Sequence, residues 1–387
     1  MTFTVSDNIR KMSPSSTIAA MQKAQALKAD GKDVIDLSVG EPDFDTPQFI
    51  KNALWESVKR GETKYTATAG VKPLQSAITS FYERNFGVSY PSSQIMATSG
   101  GKQALFNAIL CCVGVGDDVL IPAPYWVSFP EMVNGAGANN VFIDTEETKF
   151  VLTAEQVKRA ITPKTKLLIL NSPSNPSGRV IPADEFHKIV EVCAERGIYV
   201  ISDECYLLFV YPPNEVFSVA SLPKELNEFV CIAGSFSKTY AMTGWRVGYT
   251  IAPETWTRAM LKLQSHSTSH PASFAQYACA VALDDVENSQ KSVREMLAEY
   301  ELRRNYFVPA LNELGLKCAM PEGAFYAFPN VREFAETSGE FADRLLNETY
   351  CVTTDGAGFG SEGFVRISYA TSMERLKESI ERIKKIV

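Results

Sequence analysis

The residues of this chain that could do covalent chemistry lie around Lys238, between two apolar stretches. Residues 229–233 form an apolar run that ends at Gly234, as in a buried strand, and a second run covers residues 245–251. A loop lysine is ordinarily a surface residue whose apolar stem lies against the protein. Here Arg246 brings a second cation to the same segment, and an amine close to other cations loses its proton more readily and becomes nucleophilic. We therefore predict that Lys238 is a reactive amine.

The segment around this lysine resembles the cofactor-lysine signature of class I aminotransferases, enzymes that use pyridoxal 5′-phosphate. The matching residues are Ser-Phe-Ser-Lys at 235–238 and Gly-Trp-Arg-Val-Gly at 244–248. The resemblance extends from about residue 13 to the C-terminus. It implies that Lys238 binds the aldehyde of the cofactor and acts as the general base on the substrate, and that Ser235 and Arg246 bind the cofactor phosphate.

Length and composition limit the classes of protein to which the chain can belong. A chain of 387 residues with 45% hydrophobic and 21% charged residues is typical of a globular protein with a large core, and it exceeds one ordinary domain. A net charge of −7 without a basic block disfavours nucleic acid and acidic membranes as partners. No apolar run reaches the ~18 residues of a membrane helix. The first twelve residues are too polar for a signal peptide.

The cysteines and histidines indicate the compartment and argue against a metal. The chain has eight cysteines without a Cys-x-x-Cys pair, and we expect free thiols in a reducing compartment, the cytoplasm. With only three histidines in the chain, we expect no metal site.

The elements that must position Lys238 follow a strand–loop–helix rhythm. Strand patterns at 95–98, 118–121, 140–143, 166–170 and 198–201 alternate with helical patterns such as 103–113 and 182–196. This alternation predicts an α/β fold with a mostly parallel sheet flanked by helices, and the resemblance implies the fold type I of pyridoxal-phosphate transferases. Ligands of such sheets bind beyond the carboxyl ends of the strands.

The two ends of the chain follow a different pattern. A helical pattern at 13–30 and a strand at 33–39 open the chain. A long helix at 292–314, strands at 316–319, 325–328 and 364–369, and an amphipathic helix at 373–386 close it. We predict a large cofactor-binding domain over residues 46–289. Residues 1–45 and 290–387 together would form a smaller α+β domain.

The resemblance assigns the contacts of the cofactor ring. It implies that Asp203 pairs with the ring nitrogen, that Asn175 and Tyr206 hydrogen-bond the ring hydroxyl oxygen, and that Trp126 stacks on the ring. We expect burial beside a cation to lower the pKa of Asp203. Taken alone, a strand-end aspartate is more often a turn cap, and an aromatic residue in a proline-rich loop more often serves packing.

The cofactor phosphate needs backbone N–H groups at a helix start and cations. The turn Ser-Gly-Gly-Lys-Gln at 99–103 offers both, and the resemblance implies contacts from Gly101, Lys102 and Gln103. It also implies that Tyr65 reaches the phosphate of the neighbouring subunit, so we expect a homodimer with shared active sites. A glycine-rich turn on its own is often only a tight connection.

Recognition of a substrate carboxylate requires a bidentate hydrogen-bond donor, which a guanidinium provides. The resemblance implies that Arg366 binds the α-carboxylate, with Gly40, Trp126 and Asn175 also contacting the substrate. Arg366 lies in an apolar strand, and the alternative role there is a buried structural ion pair.

Residues 261–271 contain no arginine that could clamp a second carboxylate. In this respect the chain resembles the bacterial subgroup (I-beta) of the aspartate aminotransferases, which implies that Lys102, Ser15 and Thr17 hold it. Transamination between L-aspartate and 2-oxoglutarate is the expected reaction, with prephenate or aromatic substrates as the alternative. A pyridoxal-phosphate lyase or a regulatory protein on the same fold are less favoured, since the first needs no second carboxylate pocket and the second needs a DNA-binding module.

Overall fold

The computed structural model describes residues 3–14 and 16–387. Its strands are β1 Ile35–Asp36, β2 Ile95–Thr98, β3 Asp118–Ala123, β4 Asn139–Asp144, β5 Thr165–Asn171, β6 Tyr199–Asp203, β7 Val230–Ser235, β8 Gly248–Ile251, β9 Tyr326–Ala327, β10 Cys351–Val352, β11 Thr354–Asp355 and β12 Val365–Ser368. Its α-helices are α1 Asp7–Arg10, α2 Ser16–Ala29, α3 Gln48–Lys59, α4 Lys72–Phe86, α5 Gly101–Cys112, α6 Ser128–Ala136, α7 Ala154–Ala160, α8 Ala183–Glu195, α9 Lys224–Asn227, α10 Glu254–Ser265, α11 Ser273–Asp284, α12 Val286–Glu313, α13 Ser338–Thr349 and α14 Met373–Ile383.

A seven-stranded sheet in the order β2-β8-β7-β6-β5-β3-β4 forms the centre of the molecule. Its strands pair in parallel except β8, which runs antiparallel to both β2 and β7. Central strands such as β5 and β6 are buried on both faces, which explains their unbroken apolar runs in the sequence. The prediction of an α/β fold with a mostly parallel sheet is confirmed.

Two smaller sheets bring the ends of the chain together. Strand β1 pairs in parallel with β10, with Ile35 opposite Cys351, and β12 lies between β11 and β9 in a second, antiparallel sheet. The N-terminal arm therefore pairs with the C-terminal segment through β1 and β10. The division into domains at residues 46 and 290 stays a prediction, and α12 runs through the second boundary as one continuous helix.

The prediction of a strand at 316–319 is wrong. Gly315 ends α12 with a φ of +87°, and the amide of Leu316 donates to the carbonyl of Leu311 at 3.0 Å, which is the geometry of a helix C-terminus. The Leu316 side chain is fully buried as part of that helix end. The amide of Cys318 donates to Oδ1 of Asn312 at 2.9 Å. Leu316 is buried because it closes the end of α12. The alternating pattern at 316–319 therefore resembles a strand although no strand forms.

The loops that follow the parallel strands meet at one edge of the large sheet. The chain turns directly from β2 into α5, while the segment after β7 returns to the sheet as β8. Because carboxyl ends of parallel strands share an edge, side chains that are far apart in sequence converge there. Within residues 3–14 and 16–387, none of the helices combines the length and apolar character that crossing a bilayer requires.

Candidate active site

A cavity of about 330 Å³ opens at this edge of the sheet, within the ~300–1,000 Å³ of ordinary small-ligand pockets. Twelve of the residues singled out in the sequence line it. They are Thr17, Gly40, Gly101, Lys102, Trp126, Asn175, Asp203, Tyr206, Ser235, Lys238, Arg246 and Arg366. The remaining wall includes Ile18, Leu105, Val127, Cys205 and Tyr326.

Lys238 projects into the cavity from the turn after β7. The hydroxyl of Ser235 accepts the amide of Ser237 at 3.1 Å and shapes this turn, and Nζ of Lys238 donates to the carbonyl of Gly40 at 2.5 Å. Burial lowers the pKa of Lys238, and the charges of Arg366 and Arg246 add to the effect while Glu41 opposes it. The sequence predicts a lowered pKa for Lys238, but burial contributes more to the lowering than the neighbouring cations do.

Asp203 ends β6 at the floor of the cavity and is buried. The amide of Cys205 donates to its Oδ1 at 3.0 Å. Burial raises the pKa of Asp203 to about 7, because the Cys205 amide and the charge of Lys238 offset only part of the desolvation. The expectation of a lowered pKa is therefore wrong for the protein on its own. A protonated ring nitrogen paired with this carboxylate would lower it again.

Arg366 lies on β12 and is 1% exposed. Its Nη1 donates to Oδ1 of Asn175 at 3.0 Å and its Nη2 donates to the carbonyl of Ser38 at 2.6 Å. No carboxylate pairs with it among residues 3–14 and 16–387, and its Nε has no hydrogen-bond partner there. The alternative of a structural ion pair within the described chain is thus excluded. A buried guanidinium without an anion is an anion-binding group.

Tyr326 on β9 is a cavity residue that the sequence analysis missed. Its hydroxyl lies 2.7 Å from that of Tyr206, and its ring faces the Arg366 guanidinium at 4.6 Å. Burial raises the pKa of Tyr206 well above its ordinary value, so the phenol keeps its proton and can donate it in a hydrogen bond. The strand pattern at 325–328 predicted the element, but nothing in it marks the tyrosine as part of the site.

The turn before α5 is built for close approach. Gly100 adopts a φ of +83°, and a Cβ on Gly101 would lie 3.1 Å from that of Ser235. A Cβ on Gly248 would lie 2.5 Å from the amide nitrogen of Gly101, so only glycine lets β8 pass this turn. Arg246, with a φ of +55°, faces the same turn and donates from Nη1 to the carbonyl of Thr243 at 2.8 Å.

Lys102 lines the cavity from the first turn of α5. Its Nζ sits 5.0 Å from the centre of the Trp126 ring, a cation–π contact. Burial lowers the pKa of Lys102, and Arg246 contributes further. The hydroxyl of Thr17 is buried and has no hydrogen-bond partner within the part of the chain that the structure describes. Ser15 lies outside the described residues.

Two predicted site residues lie outside the cavity. Gln103 points away from it, accepts the amide of Ser99 at 2.6 Å and donates to the hydroxyl of Thr268. Tyr65 is 92% exposed and packs edge-on against His270. Its exposure within one subunit agrees with the expectation that it serves a neighbouring one. That expectation stays a prediction.

The cavity suits the cofactor that the lysine motif implies. Four cations, Lys102, Lys238, Arg246 and Arg366, and one carboxylate, Asp203, line it. The N-terminal amides of α5 and the guanidinium beside them form a ready site for a phosphate. The buried lysine and the buried carboxylate supply the two groups that an aldehyde and a ring nitrogen need. Among the described residues no cluster of three or more His, Cys, Asp or Glu could hold a metal ion.

Comparison with known proteins agrees with this geometry. The family model "Aminotransferase class I and II" matches residues 32–383. The chain is 42% identical to aspartate aminotransferase of Bacillus subtilis over 386 residues, covering 98% of each. It is 40% identical to the probable aspartate/prephenate aminotransferase of Aquifex aeolicus, again with 98% of each covered. It also matches the solved structure of Thermus thermophilus aspartate aminotransferase with maleate at 38% identity and a TM-score of 0.96, over 100% of both chains.

Proposed function

The chain belongs to the class I and II aminotransferase family and is a pyridoxal-phosphate-dependent aminotransferase, and we propose that it exchanges an amino group between L-aspartate and 2-oxoglutarate. Both of these substrates, like maleate, carry two carboxylates. The observation that carries the proposal is that Arg366 and Lys102 line one cavity and neither forms an ion pair within the described residues. Two unpaired cations in one partly buried cavity favour a dicarboxylate over a substrate with a single acidic group.

Bound pyridoxal phosphate supplies an aldehyde that bonds covalently to amines and a ring that withdraws electrons from the substrate α-carbon. In our proposal Asp203 keeps a proton on the ring nitrogen, and Asn175 and Tyr206 donate hydrogen bonds to the ring hydroxyl oxygen. Trp126 stacks on the ring. Ser235, Arg246 and the backbone of Gly101 to Gln103 hold the phosphate at the start of α5.

Lys238 moves the proton in this proposal. Its lowered pKa gives the amine a larger neutral fraction, which is the form that bonds to the aldehyde and that accepts a proton as general base. The carbonyl of Gly40, in the N-terminal arm, accepts a hydrogen bond from Nζ of Lys238. Gly40 can also contact the substrate from this side of the cavity. Arg366 fixes the α-carboxylate, while Lys102, with Thr17 and Ser15, takes the distal one.

Prephenate is the second candidate substrate, which the name of the Aquifex aeolicus relative includes. The apolar side chains of Ile18, Leu105, Trp126 and Val127 line the same cavity as Lys102. Such a wall can pack against a ring that also carries a carboxylate. Aromatic amino donors fit the same wall without using the charge of Lys102.

We also propose a homodimer with shared sites in a reducing compartment, the cytoplasm. Tyr65 and Trp55 are 92% and 61% exposed, and Val281 on the neighbouring helix α11 is 38% exposed. These exposed apolar side chains are candidates for the surface that a second copy covers. Eight free thiols favour the reducing compartment.

An absorbance spectrum of the holoenzyme tests the activity directly. L-aspartate should shift the band of the lysine-bound cofactor to that of the aminated cofactor, and 2-oxoglutarate should restore it. Lys238→Ala should show no lysine-bound band. A band that ignores aspartate but responds to prephenate or an aromatic partner would favour the second candidate. Product formation without any keto acid would contradict transamination.

Mixed dimers test the shared site. Lys238→Ala and Tyr65→Phe subunits should each give impaired homodimers, whereas a hybrid of the two restores one intact site with Lys238 from one subunit and Tyr65 from the other. Hybrids no better than the average of the parents would contradict a contribution of Tyr65 across the interface.

A further inference from the structure

The turn that connects α10 to α11 touches two separate parts of the chain that are proposed to bind a cofactor phosphate. Ser269 in this turn has a φ of +62°, a left-handed conformation that serine rarely adopts and that its neighbours must hold in place. The residues on either side, Thr268 and His270, each bind a different loop. The described chain therefore connects these loops through one strained turn.

Thr268 holds the phosphate turn of its own subunit. Its hydroxyl accepts a hydrogen bond from Nε2 of Gln103, whose Oε1 accepts the amide of Ser99 at 2.6 Å. Ser99 precedes the glycines that begin α5. The Gln103 side chain thus holds the turn from outside the cavity. The Ser99 amide can only donate, so it sets the Gln103 oxygen on its side, and Thr268 accepts from the amide nitrogen and anchors the other end of the side chain.

His270 holds the loop that carries Tyr65. Its Nδ1 lies 2.7 Å from the carbonyl of Pro271, which can only accept, so Nδ1 carries the hydrogen. Nε2 is then free to accept the amide of Thr66 at 3.2 Å. The ring of Tyr65 packs edge-on against the imidazole, with centroids 5.7 Å apart and planes at 86°. Nε2 and the ring of His270 therefore contact the Tyr65 loop, while Nδ1 is held by the Pro271 carbonyl of its own turn.

We infer that Thr268 and His270 are positioning residues for the cofactor phosphate that act on different subunits. Thr268 fixes the phosphate turn within its own subunit, and His270 presents Tyr65 to the phosphate of the partner. The inference rests on the proposed shared site and adds to it the groups that place Tyr65. The two residues are separated by Ser269 alone, yet each supports a different active site of the dimer.

The first test measures cofactor affinity of single variants. His270→Phe keeps a flat ring beside Tyr65 but removes the acceptor for Thr66, and His270→Gln keeps an acceptor at the reach of Nε2. Loss of one such hydrogen bond should weaken pyridoxal-phosphate binding about 5- to 10-fold in His270→Phe, and His270→Gln should recover most of it. Thr268→Val and Thr268→Ser form the equivalent pair. His187→Phe, in helix α8, is the matched control and should bind as the wild type does.

Hydrogen exchange separates positioning from general damage. The Thr66 amide should exchange faster in His270→Phe, and the Ser99 amide should do so in Thr268→Val, each without the other. If His270→Phe does not fold, His270→Asn replaces it, because the shorter side chain cannot reach the Thr66 amide. Equal cofactor affinity in the Phe and Gln variants would overturn the role of the acceptor.

The decisive experiment uses hybrid dimers in which one subunit carries Lys238→Ala and the other retains Lys238. Borohydride reduction and mass spectrometry then count the cofactor fixed on the remaining lysine. His270→Phe placed on the Lys238→Ala subunit should weaken loading of the other subunit, whereas Thr268→Val placed there should not. With the substitutions on the Lys238 subunit the pattern should reverse.

The outcomes distinguish this inference from the proposal beneath it. Weakened binding in Tyr65→Phe with unchanged binding in His270→Phe would overturn the positioning role alone. Unchanged binding in Tyr65→Phe would overturn the shared site and the His270 role with it. A His270 effect that stays within its own subunit would overturn the assignment across the interface.

Discussion

The side-chain oxygen of Asn175 accepts a hydrogen bond from Nη1 of Arg366 at 3.0 Å. Because a guanidinium can only donate, the Asn175 oxygen must face Arg366, which leaves the amide nitrogen to donate elsewhere. The contact therefore orients both groups at once. It ties the proposed hydrogen-bond donor of the cofactor ring to the proposed anchor of the substrate α-carboxylate, so the binding of one partner aligns the residue that meets the other.

Replacing Arg366 tests the substrate anchor. Arg366→Lys keeps the charge but loses the two-pronged geometry, and we expect kcat/KM for aspartate to fall about 100-fold or more, equivalent to ~3 kcal/mol. The spectrum of the lysine-bound cofactor should persist. Arg332→Lys, an exposed arginine paired with Glu146, is the control and should keep its activity. A small change in kcat/KM for Arg366→Lys would contradict the anchor role.

Replacing Lys102 tests the choice of substrate. Lys102→Gln removes the charge beside Trp126 and keeps much of the side-chain length. We expect kcat/KM for aspartate to fall about 10- to 100-fold, since one charge-assisted hydrogen bond is lost. The value for phenylalanine should stay level or rise. The measurement is the ratio of kcat/KM for aspartate to kcat/KM for phenylalanine. A parallel fall of both values would show that Lys102 serves the cofactor instead.

The stability of the cofactor-free protein should depend on pH through Asp203. Its pKa is about 7 in the folded chain against an ordinary 3.8, so between these values the folded state retains a proton that the unfolded state has released. The free energy of unfolding therefore falls as the pH rises from about 4 to about 7 and stays lower above.

Asp203→Asn cannot ionise and should remove this penalty. We expect it to gain on the order of 2–4 kcal/mol over the wild type at pH 8 and little at pH 4, in urea unfolding of the cofactor-free forms. Buried Glu204, whose pKa burial also raises to about 7, adds the same trend to both proteins and cancels in the comparison. A difference that stays constant with pH would contradict the raised pKa.

The approach of β8 to the phosphate turn gives a steric prediction. In Gly248→Ala the new methyl group would meet the Gly101 amide at 2.5 Å, so the turn must shift, and we expect cofactor binding to weaken at least about 10-fold. Gly244→Ala lies four residues earlier in open space and is the control. Titration of the cofactor-free protein with pyridoxal phosphate measures both. Equal binding by the two variants would contradict the steric requirement.

The sequence predicts the parts of this site that are encoded locally. Lys238, Arg246 and Ser235 lie within one motif. Asp203 and Asn175 lie at or just beyond the ends of apolar strands, and the resemblance that this motif carries singles them out. Tyr326 escapes prediction because its role arises from pairing between β9 and β12 and from contact with Tyr206, 120 positions away in the chain.

Energetic balances were harder to predict than positions. Predicting the raised pKa of Asp203 would have required knowing that burial outweighs the charge of Lys238, which depends on how tightly the chain closes around the carboxylate. The prediction of a strand at 316–319 failed for a related reason, since Leu316 is buried at the end of α12 and does not pair with a neighbouring strand. Both depend on tertiary contacts that periodicity does not encode.

The strand that carries Arg366 has a consequence for how the enzyme is made. All seven strands of the large sheet are complete by residue 251, whereas Arg366 enters only with β12, which pairs with β9 and β11 near the end of the chain. A chain emerging from the ribosome can thus build the sheet and its lysine turn before it has the proposed anchor of the substrate α-carboxylate. Among the residues proposed to bind the substrate, Arg366 is the last that translation supplies.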